Sequence, residues 1–452
     1  MSKFKEALQS LPFYNTMVLP WHWGKALVAA IKYKFPARKL TVIGVTGTNG
    51  KTTTSFMIWK MLNHSGHKTG IITTVAWGVD KLENQVEHMT TVNPFELNQR
   101  IAKIAEQGAE FLVLEITSHA MCQFRTLGIP IEIAVMTNVT HDHLDYHRTF
   151  ERYVKAKRKL FKKAKFGVVN AEDKNGIWFM QDTPEYLTYG TRHGRLKARD
   201  IRLGVKGVEY HTGHIRLRRS EKSIGSRDGT DYRVGDINIT TQIPGEFNVF
   251  NSLAATAVGL RLGLSEAEIS EGITSLESVE GRMNRLDLGQ DFGVIVDYAH
   301  TPDAFLKVFQ SVNRGVKGRI ITLTGGAGRR DETTRAERGE IAAKYSDIVI
   351  ITEDDSRDED PELIASQFVR GAKKAGKVLD EDLFVELSRS KAIIMAIKEA
   401  RKDDLVLILG KGHEKTILRA DGPHPFEDLK VTRRALEKLL EVKKAKSTPS
   451  PK

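Results

Sequence analysis

Short apolar runs alternate with longer amphipathic stretches in two parts of this chain. In the first part, the apolar runs cover residues 40–45, 69–73, 111–116, 133–137 and 167–170. In the second part, they cover residues 294–298, 320–324, 348–352, 383–386 and 405–409. Because buried strands separated by helices form parallel sheets with helices on both faces, the pattern predicts two α/β domains. Ligands of such sheets collect at the carboxyl ends of the strands.

Residues 201–242 have a different pattern, in which short β-like pieces alternate with Gly, Asp and Ser. This pattern predicts an antiparallel excursion at the edge of the first sheet. The Lys-, Ser- and Pro-rich end of the chain is typical of disorder. We therefore divide the chain into a short N-terminal element, a central domain, a C-terminal domain and a disordered tail, at residues 1–36, 37–277, 278–442 and 443–452.

A glycine-rich turn follows the first apolar run, in residues 44–54. Gly47 and Gly50 allow backbone conformations that a side chain would hinder, so amide hydrogens can converge on an anion where the next helix begins. Lys51 adds a positive charge and Thr52 a hydroxyl group for Mg²⁺. The strict phosphate-loop pattern requires glycine at position 45, where the chain has Val45. A glycine-rich turn without a phosphate ligand is the competing interpretation.

Polar clusters follow two further predicted strands, at residues 115–119 and 138–147. Thr52, Glu115 and His143 would then supply a hydroxyl, a carboxylate and an imidazole from three strand ends, a donor set that suits nucleotide-bound Mg²⁺. Zinc is the alternative for a histidine-rich segment, but its histidine spacing is not a zinc signature and no second cysteine exists.

The helix predicted over residues 150–166 has an apolar stripe that contains one lysine, Lys157, whereas its other basic residues lie mostly away from the stripe. Lys157 either snorkels from the edge of the stripe or turns inward toward the site because its chemistry is needed there.

Composition restricts the remaining possibilities. The single cysteine, Cys122, excludes an intramolecular disulfide and indicates a reducing compartment. The apolar stretch at residues 17–31 is broken by His22 and Lys25, so we expect no signal peptide or membrane span. The net charge of +12 suits anionic ligands, but part of it lies in local blocks, so we do not expect nucleic acid as a partner. We expect a cytoplasmic monomer.

Ordered motifs along the chain resemble those of the Mur ligases of peptidoglycan synthesis, most closely the MurE type. The matching segments are residues 44–54, 90–91, 115–125, 137–161, 245–255, 280–282, 297–302, 325–335, 354–357 and 410–414. The resemblance implies a P-loop-type parallel-sheet central ATPase domain, a C-terminal Rossmann-like α/β domain and a truncated N-terminal element. It also implies ATP-dependent amide formation through an acyl phosphate, with an amino acid added to UDP-N-acetylmuramoyl-dipeptide or a similar acceptor.

The same resemblance assigns residue roles at the nucleotide and metal sites. Contacts with ATP fall to Gly47, Thr48, Asn49, Gly50, Lys51, Thr52, Thr53, Asn251, Arg282 and Asp297. Thr52 and Glu115 match the ligands of one Mg²⁺, and His143 matches a ligand of a second. Lys157 matches the family's carbamylated lysine, a CO2 adduct that helps to hold the second ion. Because a buried carbamate requires a lysine on the apolar stripe, the inward orientation is now favoured.

Two further groups of residues match substrate positions. Thr90, Thr91, Thr117, Ser118, Gln123 and Arg125 resemble residues that hold the muramoyl-peptide. The amino acid is assigned to Arg335, Asp354, Asp355, Arg357, Gly410 and Glu414. Diaminopimelate-adding members carry Asp-Asn-Pro-Arg where this chain has Asp-Asp-Ser-Arg at residues 354–357. The retained arginine favours meso-diaminopimelate, whereas the extra carboxylate of Asp355 would suit L-lysine.

The family's UDP-binding N-terminal domain occupies most of a hundred residues before the phosphate loop, whereas little more than forty residues precede it here. A rebuilt small lobe, a partner and a different acceptor are all open explanations. Folylpolyglutamate synthetase shares the architecture and a short N-terminus, and is the nearest enzymatic alternative. A non-catalytic nucleotide-dependent binding protein is the second alternative.

Overall fold

The computed structural model describes residues 17–85, 89–204, 207–218, 231–313 and 315–447. Of the predicted N-terminal element and tail, residues 1–16 and 448–452 lie outside these ranges. In the part of the chain that is described, no helix combines the length and the apolar character needed to cross a membrane.

One helix, α1 (Leu19–Lys32), belongs to the predicted N-terminal element. The elements of the central domain are β1 (Thr41–Thr46), α2 (Lys51–His64), β2 (Thr69–Ile72), β3 (Ala76–Gly78), β4 (Leu82–Asn84), α3 (Pro94–Glu106), β5 (Phe111–Glu115), α4 (Ser118–Cys122), β6 (Ile131–Met136), α5 (Leu144–His147), α6 (Phe150–Phe161), β7 (Ala164–Asn170), α7 (Gly176–Gln181), β8 (Glu185–Gly190), β9 (Leu196–Gly204), β10 (Gly207–Thr212), β11 (Ile215–Arg218), β12 (Asp231–Val234), β13 (Asn238–Thr241), α8 (Phe247–Leu262) and α9 (Glu266–Thr274).

One eleven-stranded sheet contains all these strands except β11 and β12, in the order β13-β10-β9-β8-β7-β6-β1-β5-β2-β3-β4. The inner strands from β9 to β2 are parallel. At the far edge, β9, β10 and β13 pair antiparallel, and β11 and β12 form a separate hairpin. The predicted parallel sheet and its antiparallel excursion are therefore confirmed.

The C-terminal domain is a second α/β unit. It contains β14 (Asn284–Arg285), β15 (Gly293–Asp297), α10 (Pro302–Asn313), β16 (Ile320–Thr324), α11 (Thr333–Tyr345), β17 (Ile348–Ile351), α12 (Pro361–Lys374), β18 (Leu383–Val385), α13 (Arg389–Glu399), β19 (Leu405–Leu409), β20 (Thr416–Arg419), β21 (Gly422–Pro425) and α14 (Asp428–Ser447). Six strands form its sheet in the order β14-β15-β19-β16-β17-β18, parallel except for β14.

Strand β1 explains how the central sheet is buried on both faces. Val42 belongs to one apolar cluster, whereas Ile43 and Val45 belong to another, because successive side chains point to opposite faces of a strand. The cluster that contains Ile43 continues into the C-terminal domain, where it includes Phe305 and Phe309. A third cluster covers the other face of the C-terminal sheet.

The end of the chain differs from the prediction. Helix α14 continues to Ser447, so residues 443–447, which were predicted to belong to a disordered tail, are helical. Lysine and alanine at residues 443–446 are good helix formers, and the preceding helix supplies the nucleus that an isolated segment would lack. The domain boundary predicted at residues 277–278 falls between α9 and β14.

Candidate active site

The loop between β1 and α2 has the glycine-dependent backbone that its sequence predicts. Gly47 has a φ angle of +153° and Gly50 one of +83°. A Cβ atom at Gly47 would lie 1.8 Å from Thr137 Oγ1, and one at Gly50 would lie 2.4 Å from Asn251 Oδ1. Both positions therefore exclude a side chain, on conformational and on steric grounds.

The first turn of α2 is open toward the cavity. The helix begins at Lys51, and no side chain caps its N-terminus. Uncapped amide groups and the helix dipole favour an anion at this place. Lys51 Nζ donates to the carbonyl of Thr48 at 2.9 Å, which holds the ammonium group beside the loop. Thr48 and Thr53 line the same cavity. The loop thus offers amides and a positive charge to a phosphate group.

Glu115, at the end of β5, lies against the start of α2. Its Oε2 atom accepts hydrogen bonds from Thr52 Oγ1 at 3.0 Å and from the Thr74 amide at 3.1 Å. Glu115 Oε1 is 3.9 Å from Lys51 Nζ. Two neighbouring ligands of an octahedral Mg²⁺, each at about 2.1 Å, are about 3.0 Å apart. The hydroxyl–carboxylate pair therefore fits two adjacent positions on a magnesium ion.

His143 lines the same cavity, from the segment after β6. Burial, with further contributions from Arg330 and Lys157, holds the pKa of its imidazole well below the usual value. A neutral imidazole has a free lone pair for a metal ion. Among the described residues, the histidines at 141–147 do not form a set of three converging ligand atoms, so the zinc alternative gains no support.

Lys157 is turned inward. Its side chain is 2 % exposed, and Nζ donates to the carbonyl of Gly47 at 2.7 Å. The ammonium group also lies 4.6 Å from the centre of the Tyr153 ring. The snorkelling alternative is therefore wrong. Burial, together with the nearby charge of Lys51, lowers the pKa of the Lys157 amine well below its ordinary value.

The two domains meet across this loop. Arg282 Nη2 donates to Thr52 Oγ1 at 3.2 Å, and Asn49 Nδ2 donates to Asp303 Oδ2 at 2.7 Å. Asp297 is buried and accepts the amides of Met283 and Ala299, each at 2.7 Å, so it shapes the segment that carries Arg282. A cavity of about 780 Å³ lies between the domains and is lined by residues of both.

Hydrogen bonds connect four of the residues assigned to the muramoyl-peptide: Thr91 bonds to Thr117 and to Arg125, and Arg125 bonds to Gln123. Thr90 and Thr117 line the cavity. Thr91 is fully buried, and its hydroxyl donates to the Glu115 carbonyl at 3.0 Å. Ser118 is also buried and lies 2.9 Å from His147 Nε2. Gln123 Oε1 accepts from Arg125 Nε at 3.1 Å, further from the loop.

A charged cluster lines the C-terminal side of the cavity. Lys411 is fully buried, with Nζ 3.2 Å from Asp354, 2.7 Å from Asp355 and 2.7 Å from Glu414. Asp355 Oδ1 also accepts the amide of Leu418 at 2.9 Å. The ammonium group occupies the position that these three carboxylates would otherwise offer to a cation. Gly410 and Arg357 line the cavity beside this cluster.

Arg335 is not among the cavity-lining residues. It is fully buried in α11, where it donates to Glu359 Oε2 at 2.9 Å, Gln367 Oε1 at 3.0 Å and the Ala327 carbonyl at 3.0 Å. The arginines of this region that do line the cavity are Arg330, Arg338 and Arg357.

No role was predicted from sequence for Lys411, Arg330 or Arg338. Lys411 lies within the matching segment 410–414, so its charge was a signal that could have been used. Arg335 and Arg338 both lie in α11. Nothing in the local sequence shows that Arg335 is paired internally whereas Arg338 lines the cavity.

Two family profiles match the chain. Residues 45–259 match the Mur ligase middle domain, and residues 281–412 match the Mur ligase, glutamate ligase domain. The UDP-N-acetylmuramoyl-L-alanyl-D-glutamate–2,6-diaminopimelate ligase 1 of Clostridium acetobutylicum is 36% identical over 421 residues, which cover 92% of this chain and 82% of that protein.

Solved structures agree with this relationship. A UDP-N-acetylmuramoyl-L-alanyl-D-glutamate–2,6-diaminopimelate ligase has a TM-score of 0.58 and 29% identity, over 88% of this chain and 79% of that one. The Mycobacterium tuberculosis folylpolyglutamate synthase has a TM-score of 0.68 and 15% identity, over 92% of this chain and 94% of that one. This similarity shows a shared fold alone. This protein belongs to the Mur ligase family of ATP-dependent, ADP-forming amide ligases, and within it to the MurE type.

Proposed function

We propose that this protein joins meso-diaminopimelate to a UDP-N-acetylmuramoyl-dipeptide in peptidoglycan synthesis. One observation carries the proposal: a single cavity is lined by the phosphate loop, the Thr52–Glu115 pair and the charged cluster around Asp354. A nucleotide-binding function alone would not require the third component. The 36% identity to a diaminopimelate ligase over most of the chain supports the same substrate class.

The proposed chemistry has two steps. A carboxylate oxygen of the acceptor attacks the γ-phosphorus of ATP, the bond to ADP breaks, and an acyl phosphate forms. The amine of the amino acid then attacks the acyl carbon, phosphate leaves, and the nitrogen loses its proton. Lys51 and the first amides of α2 hold the phosphates in line and balance their negative charge, which is most of what phosphoryl transfer needs from a protein.

Magnesium fits the donor set on the phosphate side. Thr52 Oγ1 and Glu115 Oε2 would hold one ion at their 3.0 Å separation. The ion would neutralise charge on the transferring phosphoryl group. Arg282 donates to the same threonine hydroxyl, so the C-terminal domain contacts this ligand directly.

A second ion and a carbamate form a separate part of the proposal. CO2 would form a bond with Lys157 Nζ and release one proton, which converts the amine into an acid that binds a metal together with His143. The buried position and lowered pKa of Lys157 support this step, because only the unprotonated amine reacts with CO2.

The carbamate is testable without activity. With ¹³C-bicarbonate, we expect one carbamate carbon signal in the NMR spectrum of the wild-type protein and none for Lys157→Gln. Lys163 lies on the surface side of the same region and provides the control variant, Lys163→Gln, which should keep the signal. A wild-type spectrum without the signal, in excess bicarbonate, would remove the carbamate.

The amino-acid site favours diaminopimelate over lysine. The carboxylate of Asp355, the departure from the family pattern, is already bonded to Lys411 and to the Leu418 amide. Its Oδ1 atom is thus already used within the protein, so the extra carboxylate does not require a lysine side chain of the substrate as its partner. Arg357 lines the cavity and leaves a guanidinium group for the distal carboxylate of diaminopimelate.

The deciding experiment measures ADP release with UDP-N-acetylmuramoyl-dipeptide and a panel of amino acids, followed by mass analysis of the product. We expect turnover with meso-diaminopimelate, less with L-lysine and none with L-glutamate. The panel is repeated with the same acceptor lacking UDP, to test whether the enzyme requires the UDP moiety of its acceptor. ADP release that is equally fast without acceptor, or a product formed only with a folate and glutamate, would refute the proposal.

A further inference from the structure

Arg338 is a buried arginine in the wall of the cavity with few protein partners. It lies in α11 and is 5% exposed. Its one hydrogen bond runs from Nη1 to the Gly325 carbonyl at 3.4 Å, and its Nε has no acceptor. Among the described residues, no carboxylate oxygen lies within ion-pair distance of its guanidinium group. Buried charged donors are ordinarily satisfied, so the Nε donor of Arg338 lacks the acceptor that such a group usually has.

Arg335, one turn earlier on the same helix, shows the contrast. Both of its terminal nitrogens, Nη1 and Nη2, are bonded, to Glu359, Gln367 and a backbone carbonyl, although its Nε, like that of Arg338, has no acceptor. It packs the interior of the domain and does not line the cavity. The neighbouring arginine with unused donors is the one that the cavity reaches.

The surroundings of Arg338 hold its guanidinium group in place. The group lies 4.8 Å from the ring centre of Phe368 and 5.9 Å from that of Phe305. Burial lowers its pKa to about 10, so it stays charged at neutral pH. Asp354 and Asp331 exert attraction from a distance, without a direct ion pair. A fixed, desolvated cation with free donors is suited to bind a carboxylate in a planar, bidentate manner.

We propose that Arg338 binds a carboxylate of the incoming amino acid. The inference rests on the proposed function, and it gives that function a second cation for a substrate with two carboxylates. Arg357 holds one carboxylate, and Arg338 holds the other in the role that the resemblance assigned to Arg335.

The test compares Arg338→Gln and Arg338→Lys with the wild type. Arg370→Gln is the matched control, because Arg370 is an exposed arginine of α12 and its replacement removes the same charge. We expect Arg338→Gln to raise the KM for meso-diaminopimelate about 10- to 100-fold, with a small change in kcat and none in the KM for ATP. The lysine variant keeps the charge without the planar fork and should lie between the two.

Substrates distinguish the two carboxylates. If Arg338 binds the α-carboxylate, the wild type should lose affinity for the α-amide of the amino acid, and Arg338→Gln should treat acid and amide alike. If Arg338 binds the distal carboxylate, the wild type should have lower affinity for L-lysine, which lacks that carboxylate, than for meso-diaminopimelate. Arg338→Gln should then treat these two amino acids alike.

Five outcomes have defined meanings. An unchanged KM for the amino acid in a folded Arg338→Gln protein overturns the inference. A raised KM for ATP instead would place a phosphate group at Arg338 and also overturns it. Should Arg338→Gln fail to fold, Arg338→Lys decides by the same criteria. If the wild type turns over no amino acid, the proposed function fails. Binding of the free amino acid, measured by calorimetry, tests the inference separately: equal affinity of the wild type and Arg338→Gln overturns it.

Discussion

Replacement of Glu115 by glutamine tests the phosphate side of the cavity with little change of shape. The hydrogen bonds from the Thr52 hydroxyl and from the amide and hydroxyl of Thr74 all go to the same oxygen, Oε2, so the amide oxygen of glutamine can accept them. What disappears is the negative charge. At 3.9 Å from Lys51 and an effective dielectric constant of about 20, that charge is worth about 4 kcal/mol to the ammonium group.

The same charge also makes Glu115 a strong ligand for Mg²⁺. Loss of a residue that only hydrogen-bonds to a metal ligand costs about 10- to 100-fold in metal affinity or activity. Glu115 is itself a proposed ligand, so we expect Glu115→Gln to reduce activity by more than about 100-fold. The Mg²⁺ concentration for half-maximal activity should rise, because the remaining hydroxyl ligand binds weakly.

The assay is amino-acid-dependent ADP release over a range of Mg²⁺ concentrations, with thermal unfolding to verify the fold. Glu110→Gln is the control, since Glu110 is exposed just before the same strand and its hydrogen-bond partner is His67. Wild-type activity and wild-type Mg²⁺ dependence in Glu115→Gln would refute the assignment of this residue.

Three further changes have defined outcomes. Gly50→Ala forces a left-handed backbone on alanine, at about 1–2 kcal/mol, and drives its Cβ against Asn251, so denaturant unfolding should show lower stability and the KM for ATP should rise. Burial and the charge of Lys157 lower the pKa of His147 to about 4, so the unfolded chain binds an extra proton between pH 6.5 and 4. The free energy of unfolding should therefore fall by about 3 kcal/mol as the pH drops through that window, and His147→Gln should remove this part of the slope. Arg389 and Asp428 form a fully buried pair at 2.7 Å, so Asp428→Asn should cost about 3–5 kcal/mol in chemical denaturation, and a loss below about 1 kcal/mol would contradict that burial.

The sequence predicted those features that depend on local pattern. The apolar run at residues 40–45 became Thr41–Thr46, and glycine was required where the backbone is left-handed. The periodicity that put Lys157 on an apolar stripe also indicated its burial, although a stripe cannot distinguish its centre from its edge. These features arise from φ and ψ preferences and from side-chain direction, both of which are local.

Features that depend on distant partners were not predictable in the same way. Arg335 is occupied because Glu359, 24 positions later, packs against it. Asp355 is ion-paired because Lys411 reaches it from the end of another strand. Residue type showed that these charges exist, but only tertiary packing decides which charge is paired internally and which remains for a ligand.

The apolar cluster that continues from the central sheet into the C-terminal domain has a consequence for any attempt to divide the chain. Ile43 and Val249 on one side belong to the same packed group as Phe305 and Phe309 on the other. Cleavage of the chain between residues 277 and 278 would expose apolar surface on both fragments. Produced separately, the two fragments should aggregate and be poorly soluble. Produced together, they should associate into an active enzyme.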